Sequence, residues 1–373
     1  MNWFYKGFIL FAAMLTLLQS NSMSYASSLK PRYTYGYIDK TGKIVIKPEL
    51  EAAFCFSNGL APVGVYNGKE MQYGYLDKSG NFVIQPQFED AQKFSENLAA
   101  VDIGNKCGFI DNKGKLVIVP KYDAQYGVKS YFRLPDNEAD ENPAIHFSIF
   151  SEGLAPVAVG GPSGLFGYID KTGNFVIQPK FVAAHSFSQN LAAVRIGKKW
   201  GYINKLGNLV ISPQFQAAGD FSENLAPVRI PGDVHFIHPF THTEAYTDGS
   251  WGFIDQAGKV IIAPEFDGAN AFSEGLACVR IVDPKEGYVV GYINCKREMV
   301  IPPRFGSGRS FSSGLAAVRV LTKEWGIIPN QKWGYIDQTG QIKIKPTFET
   351  AGDFSDGLAV FGVFSMKLTG TTH

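Results

Sequence analysis

Apolar and polar positions along the chain follow one short rhythm. An apolar stretch such as Trp200-Gly201-Tyr202-Ile203 is followed by a polar turn, Asn204-Lys205-Leu206-Gly207, and by a second apolar run, Leu209-Val210-Ile211. Asn or Asp at the turn entry bonds its own backbone and Gly supplies a left-handed conformation, so the pattern predicts a hairpin. Pro213 is expected to end the return strand, because it removes a ladder donor. A compact connection over residues 216–223 leads to a third strand, Leu225-Ala226-Pro227-Val228-Arg229-Ile230, and a short turn such as Gly197-Lys198-Lys199 joins such a strand to the next unit. The unit is therefore expected to be a three-stranded antiparallel meander. Tyr202 alternates with Ile203, and Val210 with Ile211, so both faces are apolar and each unit must stack on its neighbours.

The rhythm repeats eight times. Tyr/Phe-Ile/Leu-Asp/Asn follows a glycine at Gly36, Gly74, Gly108, Gly167, Gly201, Gly252, Gly291 and Gly334, and twelve residues after each stands Pro48, Pro86, Pro120, Pro179, Pro213, Pro264, Pro303 or Pro346. An aromatic follows that proline by two residues in seven copies, with Leu50 in the first. A Phe-Ser-x-Gly/Asn-Leu-Ala motif comes next, as at Phe56, Phe187 and Phe354, delayed to Phe150 in the third copy. The basic period is 34 residues, as between Gly74 and Gly108, and insertions at 123–147, 231–250 and 320–332 lengthen it. The seventh copy carries Arg297 where the turn glycine belongs, which predicts a strained turn costing about 1 kcal/mol. The first copy lacks a preceding Leu-Ala strand and the chain ends on an unpaired one, residues 358–363. Pairing of the two would abolish both edges and give a propeller-like ring; without it the array is an open curved β-superhelix.

Lys199-Trp200-Gly201-Tyr202-Ile203-Asn204 and Lys332-Trp333-Gly334-Tyr335-Ile336-Asp337 resemble the bacterial WG repeat, also called the KWG repeat, over about residues 33–363. The eponymous Trp stands in three copies, as Trp200, Trp251 and Trp333, and is replaced elsewhere by Tyr35, Tyr73, Cys107, Phe166 and Val290. The resemblance implies β-rich modules without an established common chemistry, and a repeat number that varies.

The N-terminus changes the setting. Lys6 precedes an apolar run over residues 8–18 and a polar stretch ending in small residues, the layout of a secretory signal peptide, with cleavage expected after Ala26. Residues 27–32 then form a linker, 33–366 the array and 367–373 a tail. The apolar run is about half of the roughly twenty residues that span a bilayer, and no later segment is long and apolar enough. The expected product is secreted, or held in the periplasm or cell envelope, with no membrane span after cleavage. Losing Lys6 brings 35 basic residues level with 34 acidic ones, which gives no bulk reason to expect nucleic acid. Cys55, Cys107 and Cys278 replace core residues of other copies, so buried thiols are expected, with a Cys278–Cys295 disulfide as the alternative.

Residues that recur in every unit are structural, since one active site does not need eight copies. Asp39, Asp77, Asp111, Asp170, Asp255 and Asp337 are expected at turn entries rather than in acid-base chemistry, and the recurrent aromatics in packing rather than on sugars. What does not recur is more informative. His235, His238, His242 and Glu244, in the second insertion, form a candidate zinc or copper set on a loop, although no Cys or helical spacing fixes a geometry. Residues 136–141 mimic the start of a calcium loop but lack its Gly and terminal Glu. Arg195, Arg229, Arg280 and Arg319 follow the third-strand Val in four successive units, either as a basic stripe for an anionic polymer or as solvent-side strand ends. No nucleophile elbow, phosphate loop, cysteine knuckle or zinc-protease helix is present. The sequence therefore points to an exported, non-catalytic scaffold with no cofactor, binding a protein or an anionic envelope polymer. The competing expectation is a metal-dependent extracytoplasmic enzyme using the histidine-bearing insertion.

Overall fold

The computed structural model describes residues 31–124, 148–231, 236–237, 244–245, 249–283, 285–320 and 331–366. The fold is all-β, and each repeat contributes to a four-stranded antiparallel sheet rather than to a three-stranded meander. The fourth sheet shows the plan: Ala183–Ala184, Ala192–Ile196, Lys199–Ile203 and Leu209–Phe215, in that order. The extra member is a two-residue strand inside what the sequence presents as a connection. It recurs at Ala52–Ala53, Asp90–Ala91, Ala217–Ala218, Gly268–Ala269 and Thr350–Ala351. In the third and seventh sheets its place is taken by the run-on ends of Leu116–Asp123 and Met299–Gly308, which joins neighbouring units into seven-stranded sheets.

The proline does not end the return strand. Leu209–Phe215 continues through Pro213. The pairs Trp200↔Phe215 and Tyr202↔Ile211 enclose one residue on one strand and three on the other, so Pro213 lies in a bulge on the edge strand of its sheet. There its missing N–H costs no ladder bond, and it blunts an edge that would otherwise template further pairing. Opposite the bulge, a Cβ on Gly201 would lie 2.5 Å from the Ile211 carbonyl oxygen and 2.8 Å from Pro213 N. The Gly and the Pro twelve residues later are two halves of one close backbone approach.

The return strand is also less buried than its composition suggests. Ile211 is 3% exposed, whereas Leu209 and Val210 are about half exposed, and Ile44, Val45, Val176, Val260 and Ile261 repeat this. Stacking falls instead on the two central strands. Tyr202 and Ile203 are fully buried, and one core cluster joins Trp200, Tyr202 and Ile211 of the fourth sheet to Ala218, Phe221 and Val228 of the fifth. The Tyr202 hydroxyl donates to the Gly219 carbonyl at 2.8 Å, a bond repeated by Tyr37, Tyr75, Tyr168, Tyr292 and Tyr335 with the carbonyl seventeen residues on. Phe109 and Phe253 do without it. Tyr202→Phe is therefore expected to cost only about 1 kcal/mol, read as a shift in urea midpoint with unchanged slope.

The turns behave as their residues require. Asp337 Oδ1 accepts from the Thr339 hydroxyl and from the Thr339 and Gln341 amides. The Thr339 hydroxyl is the largest influence holding this carboxyl down, at about 2. Arg297 takes φ 67°, the left-handed conformation that glycine supplies in the other copies. Its guanidinium forks onto the buried Glu265, Nε to Oε1 at 2.6 Å with Nη2 beside Oε2, which offsets the strain.

The first and last described strands meet. Leu358–Met366 pairs antiparallel with Pro31–Asp39 over nine residue pairs, from Asp39↔Leu358 to Pro31↔Met366, and these two strands are the centre of the eighth sheet.

Candidate functional site

Strand direction sorts the connections into two ends. The turns that open on Asp or Asn, from Asp39-x-x-Gly42 to Asp337-x-x-Gly340, and the Ser-x-x-Leu turns share one end of the eight sheets. Connections such as Gly197-Lys198, from the Leu-Ala strand to the next Gly-bearing strand, share the other. The insertions at 231–250 and 320–332 replace connections of this second kind. The one beginning at 123 leaves from Asp123, which pairs with Lys106 and Ala158 at the same end. The departures from the repeat thus leave from one end of the array.

The register at that end places the four arginines at equivalent points. Arg195 pairs with Ala183 and Trp200, Arg229 with Ala217 and Trp251, Arg280 with Gly268 and Val290, and Arg319 with Ser307 and Trp333. The inner partner is small in each case, which leaves room for the long side chain; a Cβ on Gly268 would lie 3.3 Å from Arg280 Nε. These arginines are half-buried, not solvent-side strand ends. The Arg195 guanidinium lies 6.0 Å from the Trp200 ring and that of Arg280 4.9 Å from the Tyr288 ring. Arg229 Nε donates to the Gly249 carbonyl at 3.3 Å, and Arg280 Nη2 to the Asp267 carbonyl at 3.1 Å.

The second sheet reverses the sign. Its equivalent row is Asp90↔Asp102↔Cys107, a like-charged pair on adjacent strands beside a buried thiol. Burial first, then the charges of Asp90 and Glu89, push the Asp102 carboxyl up to about 7. Sequence reading passed over this pair, although Asp in place of the repeated Ala and Arg was visible once the register was known.

Next to the two-residue strands, the loops that lead to each Phe-Ser touch from sheet to sheet. His185 Nδ1 lies 2.8 Å from Asp220 Oδ1, and Arg309 Nη1 3.6 Å from Asp353 Oδ2, at matching positions of the fourth and fifth and of the seventh and eighth sheets. Below them Ser188 Oγ donates to the Phe221 carbonyl and Ser312 Oγ to the Phe354 carbonyl, both at 2.6 Å. In the Ser-x-x-Leu turns Glu96, Glu152, Glu223 and Glu274 hold positive φ and accept an amide N–H of the next unit's turn, and Asp356 accepts that of Gly59 in the first unit.

Other candidates fare differently. His235, His238 and His242 lie outside the described residues, as does 136–141; the backbone of Glu244 pairs with Ile237, and its side chain is outside them. Among the described residues no three His, Cys, Asp or Glu side chains gather as a metal set. The four cysteines are free, so Cys278 and Cys295 are not paired. Cys107 and Cys278 are buried as expected, and burial pushes the Cys278 thiol up to about 12; Cys55 is half-buried and Cys295 exposed.

The model of the WG-containing repeat matches residues 35–69, 73–107, 108–127, 166–200, 200–232, 251–281, 291–321 and 333–362. The chain belongs to the WG-repeat family. The eight matches begin beside the eight glycines of the backbone approach, so the WG repeat is the unit whose Gly and Pro form that bulge. Where the Trp is present it is the cross-strand partner of an arginine: Trp200 of Arg195, Trp251 of Arg229 and Trp333 of Arg319. No curated protein matches. Among solved structures, the chain is similar to apo AztD from Citrobacter koseri, at 10% identity and TM-score 0.45, covering 91% of this chain and 100% of that one. Kluyveromyces lactis Hsv2p gives 8% identity and TM-score 0.40, covering 67% and 74%.

Proposed function

We propose that the WG-repeat array closes into an eight-bladed, propeller-like ring and acts outside the cytoplasm as a non-catalytic scaffold. In this reading it receives a protein or an anionic envelope polymer on the end that bears the insertions and the arginines. Closure is favoured over an open superhelix by three contacts across the chain ends. Nine residue pairs join the first and last strands, and Asp356 bonds Gly59 as Glu274 bonds Gly314. One core cluster packs Tyr37, Leu358 and Val360 against Phe56, Ala61 and Val63. Export is supported by the leader-like layout of residues 1–26.

The observation that carries the binding reading is the common end from which the insertions leave, with four arginines at one register beneath it. A rigid array with variable loops on one rim is a frequent binding design, and the arginines supply preorganised charge. The test is titration of fluorescent polyglutamate with wild-type protein and with the combined Arg195→Gln, Arg229→Gln, Arg280→Gln and Arg319→Gln variant, at low and moderate salt. Affinity should fall about tenfold or more in the variant and weaken with salt in the wild type. Equal, salt-independent binding by both proteins would remove the arginines from the interface.

A further inference from the structure

The sequence holds two Asn-Gly steps, Asn58-Gly59 and Asn67-Gly68, and they sit in opposite surroundings. Asn58 and Gly59 are the middle of a Ser-x-x-Leu turn closed from both sides, Ser57 N–H on the Leu60 carbonyl at 2.8 Å and Leu60 N–H on the Ser57 carbonyl at 3.2 Å. The Gly59 amide donates to Asp356 Oδ2 at 2.7 Å. Losing its proton would place negative charge beside a carboxylate, so this nitrogen is a poor nucleophile.

Asn67 and Gly68 lie exposed at the tip of the hairpin that joins Leu60–Tyr66 to Met71–Asp77. Asn67 Oδ1 accepts from the backbone amides of Lys69 and Glu70, each at 3.0 Å. Two fixed donors therefore face the oxygen on which negative charge develops when a nucleophile adds to Asn67 Cγ, as in an oxyanion hole. The next nitrogen along the chain belongs to Gly68, which has φ 95° and open space where a Cβ would stand. Among the described residues its N–H meets no acceptor.

We infer that Asn67-Gly68 is a self-modifying site, at which the chain converts its own asparagine to an acid. The Gly68 nitrogen gives its proton to solvent and bonds to Asn67 Cγ; the bond from Cγ to Nδ2 breaks, and ammonia leaves with a proton from solvent. Water then opens the cyclic imide to aspartate or isoaspartate. One water enters for each ammonia lost, and no other reagent is needed. The sixth sheet shows that the aspartate fits: Asp283 Oδ1 accepts from the Lys285 and Glu286 amides at 2.8 and 2.9 Å, the same two offsets. Those amides, Glu286 first, hold the Asp283 carboxyl below the usual carboxylate range. Isoaspartate instead adds a methylene to the main chain inside a turn closed by Asn67 N–H on the Glu70 carbonyl at 3.1 Å. Either product places a new negative charge at the end of the array that bears the arginines.

The test is peptide mapping by mass spectrometry of folded protein aged at pH 8, against the same protein aged in urea at that pH. In the folded protein Asn67 should convert about tenfold or more faster than Asn58, and in urea the two should react at similar rates. Asn67→Asp, the product made directly, should unfold at the wild-type midpoint. Equal rates at the two steps in the folded protein overturn the site, as does an Asn67 that stays intact when folded and converts only in urea. A lowered midpoint in Asn67→Asp overturns the match with Asp283.

Discussion

Replacing Gly201 by Ala is expected to destabilise the fold by about 3 kcal/mol, near the top of what overpacking costs. The added Cβ meets backbone on two sides, the Ile211 carbonyl at 2.5 Å and Pro213 at 2.8 Å, and backbone in a paired bulge cannot turn aside as a side chain can. Gly197→Ala is the control. Gly197 has φ 60° and open space around its Cβ position, so the cost there is only the left-handed conformation, about 1 kcal/mol. Urea midpoints of the two variants separate close approach from conformational freedom. Equal losses would mean that the bulge relaxes to admit a methyl group.

The second large effect is a dependence on pH. Asp102 carries a carboxyl raised from the ordinary value near 4 to about 7 by burial and by the charges of Asp90 and Glu89. Between those values the folded chain holds a proton that the unfolded chain has released, so stability falls as pH rises through this window and levels off above about 7. Three units of separation set an upper limit of about 4 kcal/mol, and relaxation of a half-buried row brings the loss below it. Asp102→Asn keeps the shape and removes the titration. Thermal midpoints at pH 5 and pH 8 should then differ less in the variant than in the wild type, with the variant the more stable at pH 8. A wild-type midpoint that rises between pH 5 and 8, unless Asp102→Asn makes it rise more, would mean that the carboxyl pair is not strained.

The repeat itself was legible because its turns are chemically explicit: Asp39 or Asp337 at a turn entry and Gly207 at its left-handed exit have few other uses. The glycine before Tyr202 was legible as a marker but not as a cause, since its contact is with a proline that only the bulged register brings opposite it. Ala183–Ala184 is too short to show a period of two, and its residues suit a loop equally well. Pro213 misled for a related reason: a missing donor stops a central strand but is harmless on an edge, and edge position is a property of the sheet. The half-burial of the four arginines was not legible. Their burial depends on the small residues of the two-residue strand, which sequence reading had placed in a connection.

The sheet shared by the chain ends also sets an order of assembly. Seven of the sheets are built from segments close in sequence, and each can pair as soon as its own residues are available. The eighth must wait for partners more than three hundred positions apart, Asp39 and Leu358, so the first strand of the array is among the last to find its place. Until then Pro31–Asp39 stays outside its final ladder, able to pair with a neighbouring molecule's last strand as well as with its own. Dilution during refolding should therefore favour the monomer, and crowded refolding should yield strand-exchanged species that separate only on unfolding.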